Sequence, residues 1–276
     1  MNDAMRPRPV QGTTTAGVPG ASISARGITK LYGSGDGAHH ALGPIDLDIA
    51  PGEFVSLIGP SGCGKSTTML LVSGLEPVTD GELDVDGRPL TAPISDVGIV
   101  FQDHLLLEFR TALKNVMLQQ EIRGLDRSLL QKRATRLFKE LGLEGAENRY
   151  PWQLSGGMRQ RVSIARALVH DPSMLLMDEP FGALDAITRT QIRHDLEMLW
   201  LETRKTVLFI THSIEEAIGL SDRVLVMSNG PGKLVDEISI DLPRPRPAHL
   251  GAYPEFARYA RRIYDIFEKL GIYHFK

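Results

Sequence analysis

The chain has 276 residues, of which 42% are hydrophobic and 24% charged. That is enough to bury a substantial core as one large domain or two small ones. A formal net charge of -3 gives no bulk electrostatic case for nucleic-acid binding, a single cysteine excludes an intrachain disulfide, and no run of about 18 apolar residues is present to span a membrane.

Residues 1–21 carry Arg6 and Arg8 but no apolar stretch of the kind a secretory signal needs, and they read as a disordered tail. From Ser22 short β-like runs alternate with helical ones, the pattern of an α/β fold with a mainly parallel sheet. Strands are expected at "SISARGITKLY", "IDLDIA", "EFVSLIG", "GELDVDG", "VGIVFQ", "SMLLMDE", "TVLFITH", "RVLVMS" and "GKLVDEISID". Helices are expected over residues 65–74, 127–141, 156–169, 187–203, 213–219 and 255–270. Between about residues 104 and 165 strands give way to helical patterns, which reads as a helical insertion into the α/β core.

The third strand runs into "GPSGCGKST", where Gly59, Pro60, Ser61, Gly62, Cys63, Gly64, Lys65, Ser66 and Thr67 follow the P-loop pattern G-x-x-x-x-G-K-[ST] between a strand and a helix. Glycines let successive backbone N–H groups turn toward phosphates, and the following helix adds the positive end of its dipole. Lys65 would neutralise the β- and γ-phosphates and Ser66 would ligate Mg²⁺. A Gly-rich turn before a helix-starting Lys-Ser is the alternative. Cys63 could act as a redox switch, although a small residue in a tight loop is the simpler reading.

"SMLLMDEP" is an apolar strand ending in two carboxylates. After a P-loop, Asp178 suits a metal-side acid and Glu179 a general base that orients the attacking water. "TVLFITHS" places His212 at the C-terminal end of another strand, where open α/β sheets carry ligand groups. "LSGGMRQRVSIARAL" sets Ser155, Gly156 and Gly157 at a helix start, an anion-binding end with no acid, nucleophile or metal ligand of its own.

With "GPSGCGKST", Gln102 in "VFQDH", "LSGGMRQ", "LLMDE", "GALD" at residues 182–185 and His212 in that order, residues 22–240 resemble the ATP-binding-cassette (ABC) ATPases. The resemblance implies a P-loop NTPase with a RecA-like core, an antiparallel β-subdomain and an inserted α-helical subdomain. It implies ATP and Mg²⁺, and a head-to-tail homodimer in which each P-loop faces the other subunit's Ser155, Gly156 and Gly157. Tyr32 would stack on adenine, against the alternative of a strand-end core tyrosine. Gln102 would touch Mg²⁺ or the attacking water, Asp185 would lie at the dimer interface and His212 would reach the γ-phosphate.

The wording "DEPFGALDAITR", "VFQDHLLL" and "DLPRPR" is most similar to nitrate-, sulfonate- and taurine-type importer ATPases. These imply integral-membrane permease partners, a solute-binding protein acting indirectly, no nucleic acid, and a peripheral place on the cytoplasmic face of the inner membrane. Where such relatives often read "LLPWRT", this chain has "LLEFRT" with Glu108 and Phe109, a departure in the region that would meet the permease. A soluble ABC ATPase acting in repair, translation or cofactor assembly, and a P-loop small-molecule kinase, are the rival readings. Residues 241–276 read as a Pro-rich linker with solvated arginines and an amphipathic helix carrying Phe256, Tyr259, Ile263, Phe267 and Leu270. That helix would either bind a partner or pack on the chain's own core.

Overall fold

The computed structural model describes residues 20–272. Its larger sheet has six strands, in the order β10-β9-β3-β8-β7-β6: β3 (Phe54–Ile58), β6 (Val97–Val100), β7 (Met174–Asp178), β8 (Thr206–Thr211), β9 (Arg223–Met227) and β10 (Leu234–Ser239). All neighbours pair parallel except β10 with β9. Every residue of β3 and β8 is buried, as expected of strands covered on both faces.

A second sheet pairs β1 (Ile23–Tyr32) with β2 (His39–Ile49) and with β4 (Asp80–Val85), which pairs β5 (Arg88–Pro89); all are antiparallel. β1 alternates buried and part-exposed residues, the signature of a sheet with one wet face. Its alternation slips at Gly27, where φ is +57° and the register with both partners shifts. The two sheets share a core that includes Ile23, Ile28, Leu47, Leu57, Met69 and Leu176.

α1 (Lys65–Val72) follows β3, α6 (Ala186–Thr203) follows β7, and α7 (Ile214–Leu220) follows β8. Between β6 and β7 lie α2 (Ala112–Val116), α3 (Leu118–Arg123), α4 (Arg127–Glu140) and α5 (Gly156–Leu168), the helical insertion. The insertion shares its core with the sheet, since Val116, Leu130 and Phe138 join a cluster with Phe54, Trp200 and Phe209. Neither α2 nor α3 was among the expected helices: at five and six residues each, they lack the two turns over which a 3.6-residue period shows. The second strand was also expected to begin six residues too late, because its first residues, His39 and His40, are exposed and owe their strand state to pairing with Tyr32 and Leu31.

Most of the expected tail lies outside the described residues, but Ala21 is buried and its carbonyl accepts the Thr206 hydroxyl at 2.6 Å. At the other end α8 (Pro254–Lys269) buries Tyr259, Ile263 and Phe267 against Ile58, Ile218 and Ile238, so its apolar face packs on the chain's own core. The Pro-rich part of the linker before it, residues 241–249, is non-helical, yet its arginines are not solvated as expected. Arg244 reaches Glu197 and Asp222 at 3.0 Å each and lies 4.4 Å from the Trp200 ring centroid. Arg246 is buried and donates to the carbonyls of Ile218 at 2.6 Å and Ser221 at 2.8 Å. The cause is Glu197 of α6, a buried carboxylate that requires cationic or N–H partners and receives the Arg246 backbone N–H as well. Burial pushes the Arg246 guanidinium down to about 10.

Candidate functional site

The P-loop leaves the buried β3 as a tightly determined turn. A Cβ on Gly59 would sit 3.0 Å from both Cys63 Sγ and Met227 Cβ. Gly64 has φ +98°, and a Cβ there would lie 2.6 Å from the Ala41 carbonyl oxygen. Neither position admits another residue without moving backbone or core. Cys63 is buried with its sulfur 3.9 Å from Met227 Sδ, and burial pushes its thiol up, away from the reactive thiolate. The small-residue reading of Cys63 is the one the packing supports.

Lys65 is buried, and its ammonium donates to the carbonyls of Gly59 at 3.0 Å and Pro60 at 2.9 Å. The Ser66 side chain neighbours Asp178 at the end of β7. The Asp178 carboxyl is raised above its ordinary range, first by burial and also by the neighbouring Glu179 charge. Glu179 holds φ at +44°, a left-handed conformation that costs a non-glycine residue energy and persists only where its surroundings enforce it. Here its backbone N–H donates to the Ile210 carbonyl at 2.9 Å, and its carboxylate lies 3.0 Å from His212 Nδ1. Neighbouring strands β7 and β8 thus deliver an acid and an imidazole to one point at their C-terminal ends.

Lys65, Ser66 and Glu179 open onto a cleft of about 480 Å³ lined also by Tyr32, Ser61, Gly62, Gly64, Thr67 and Gln102; Asp178 and His212 are not among its lining residues. His39 and Ala41 also line it and were not anticipated. The signal that could have found His39 is pairing, since β1 and β2 set it directly opposite Tyr32. Lys30 Nζ lies 4.9 Å from the Tyr32 ring centroid.

Ser155, Gly156, Gly157 and Asp185 do not line this cleft. Ser155 caps α5 by accepting the Met158 N–H at 3.2 Å, and Asp185 caps α6 by accepting those of Ile187 at 3.1 Å and Thr188 at 3.0 Å. These hydrogen bonds, the Thr188 backbone N–H first, hold the Asp185 carboxyl below its ordinary range. The two helix starts touch, because a Cβ on Gly157 would lie 2.4 Å from Thr188 Cγ2. Gly157 is therefore required by packing within the chain. Around Gly156 a Cβ would meet nothing within 4 Å, and Ser155 is exposed.

The family model described as "ABC transporter" matches residues 42–182. The taurine import ATP-binding protein TauB of Escherichia coli K12 is 44% identical over 79% of this chain and 85% of its own length. The chain belongs to the ABC transporter family. An uncharacterized ABC transporter ATP-binding protein of Methanocaldococcus jannaschii is 42% identical over 88% of this chain and 90% of its own. Among solved structures, a bacterial ABC transporter cassette in dimeric form superimposes with TM-score 0.71 at 35% identity, over 80% of this chain and all of that one. A post-hydrolysis dimer of the same cassette bound to ADP and Pi gives TM-score 0.70 at 33% identity. The ABC fold accounts for the two sheets and the inserted helices together, and the chain is an ABC transporter ATPase that binds ATP. Among the described residues no helix is long and apolar enough to cross a membrane.

Proposed function

We propose that this ABC cassette works as a head-to-tail homodimer that drives import of a small sulfonate of the taurine type through a permease at the cytoplasmic face of the membrane. The observation that carries the dimer is the division of the site. The P-loop, Gln102 and Glu179 line one cleft, with His212 held against Glu179, while exposed Ser155 and part-buried Gly156 start a helix that does not line it. A second copy brings such an N-terminus to the phosphate that the first copy holds. Relatives at 44–45% identity are taurine import ATP-binding proteins, which is the basis for the solute.

In the proposed reaction, loop backbone N–H groups and Lys65 hold the triphosphate, and Tyr32 stacks on the base. Ser66, Asp178 and Gln102 are hard oxygen donors of the kind Mg²⁺ prefers, and a hydroxyl plus one buried carboxylate leaves room for the water ligands it retains. Bound there, Mg²⁺ would neutralise charge on the β- and γ-oxygens. Glu179 takes a proton from the water that attacks the γ-phosphorus, the bond to the ADP oxygen breaks, and His212 orients Glu179 through its Nδ1 contact. Asp185 and the start of α5 complete the partner's site.

The loop after Gln102 suits the permease contact. Leu105 is 57% and Phe109 74% exposed, and buried Asn115 of α2 braces the loop beneath them. Its amide donates to the carbonyls of Leu107 at 3.1 Å, Arg110 at 3.0 Å and Thr111 at 3.1 Å, while its oxygen accepts the Leu107 N–H at 2.8 Å. Asn115 had no motif to reveal it. The test uses Glu179→Gln. It should retain ATP binding, lose at least about a hundredfold in phosphate release, and accumulate as an ATP-bound dimer on size-exclusion chromatography. Wild-type turnover would remove Glu179 from its role. The transport arm pairs the cassette with its permease in vesicles and measures ATP-dependent taurine uptake; co-purification with soluble partners alone would overturn the importer reading.

A further inference from the structure

The joint between α6 and α7 contains a chain of contacts that links the Asp185 loop to the His212 turn. Arg189, on the first turn of α6, donates through one terminal nitrogen to the Leu184 carbonyl at 3.0 Å, the residue just before Asp185. Its Nε is buried without a hydrogen-bond partner and stands 3.7 Å from Glu216 Oε1. Glu216 is buried on α7, and its other oxygen accepts the Thr211 hydroxyl. That hydroxyl in turn accepts the Ser213 N–H at 3.0 Å, and the Ser213 side chain accepts the Glu216 N–H at 3.3 Å. The backbone on both sides of His212 is therefore tied to Glu216.

The α6 side of this joint is not fully closed. Arg193, one turn further on, also has a buried terminal nitrogen without a hydrogen-bond partner, 3.6 Å from Glu215. Both arginines, with Ser213 and the two glutamates, line a cavity of about 100 Å³. An approach of less than about an ångström would bring both ion pairs within hydrogen-bond range, where charge-assisted contacts gain most. Buried, unpartnered guanidinium nitrogens on Arg189 and Arg193 beside room to move allow a second arrangement of the joint.

We propose that Arg189 and Glu216 are positioning residues that couple the Asp185 loop to His212, so that docking of a second copy against Asp185 holds His212 in the contact with Glu179 that the single chain already makes. The inference rests on the dimeric mechanism proposed above and adds the route within one chain by which the interface reaches the hydrolytic pair.

The test is a double-mutant cycle on phosphate release. Glu216→Gln keeps an acceptor for Thr211 but removes the charge facing Arg189, and Arg189→Met removes the bridge from the other side. Each should lower kcat by about tenfold with KM for ATP and the thermal midpoint unchanged. Combined with His212→Ala, neither should lower kcat further, because each acts through His212. Wild-type kcat in both variants, or losses that multiply with that of His212→Ala, would overturn the proposal. If Glu216→Gln lowers the thermal midpoint, Arg189→Met, at a part-exposed site, decides alone. Wild-type turnover in His212→Ala by itself would instead remove the parent mechanism's use of His212, a result distinguishable from failure of the coupling.

Discussion

In the proposed mechanism the P-loop cleft and the start of α5 both meet phosphate, but they are held together in opposite ways. Around the P-loop the chain supplies its own constraints: Gly59 is hemmed in by Cys63 and Met227, Gly64 by Ala41, and Lys65 is bonded to two loop carbonyls. At the start of α5 only Gly157 is enclosed; Ser155 and Gly156 face outward with the helix dipole behind them. On that mechanism the first is a complete cradle, and the second is half of one. A site divided in this manner can make hydrolysis conditional on assembly, because the transition-state charge is fully met only when both halves come together.

The largest effect expected from breaking this contrast is at Lys65. Lys65→Ala should lower phosphate release by at least about a thousandfold and weaken ATP binding by the isolated subunit, since it removes a preorganised cation from the cradle itself. Isothermal titration and a phosphate assay check both. Ser155→Arg should separate the two halves: nucleotide binding by the monomer persists, while ATP-driven dimerisation is lost, because a large cation fills the exposed helix start. Light scattering with and without ATP reads the difference, and dimerisation at wild-type ATP concentrations would argue against a role for this helix start at the interface.

Much of this organisation was legible in the sequence, for identifiable reasons. β3, β7 and β8 are short apolar runs that end directly in their functional groups, so strand and chemistry are read from the same residues. The features that escaped depend on partners far away in sequence. Arg244 and Arg246 look solvated until Glu197, some fifty residues earlier, is brought beneath them. His39 joins the cleft by pairing with Tyr32, and Asn115 braces a loop through contacts no local pattern announces. The glycine pair is the instructive case. Both residues belong by sequence to an anion-binding helix start, but the structure gives Gly157 a separate cause in Thr188 of α6.

That difference yields the smallest and most discriminating prediction. Alanine at Gly157 places a methyl 2.4 Å from Thr188 Cγ2, an overlap in a packed helix–helix contact that should cost about 1–3 kcal/mol. Thr188→Ser deletes that methyl and leaves the backbone N–H that Asp185 accepts, so the double variant should recover most of the lost thermal stability. Alanine at Gly156 meets nothing, and in a helical position it should leave stability unchanged or raise it by up to about 1 kcal/mol. Its effect should appear in dimerisation instead, where a methyl stands in the path of the other subunit's phosphate. Thermal denaturation and ATP-dependent association, measured on both variants, should therefore move in opposite patterns: stability lost and rescued at residue 157, assembly lost with stability retained at residue 156. Equal loss of stability at both would mean that the glycine pair serves the fold alone, and the division between a self-contained cradle and an open half-site would lose its basis at α5.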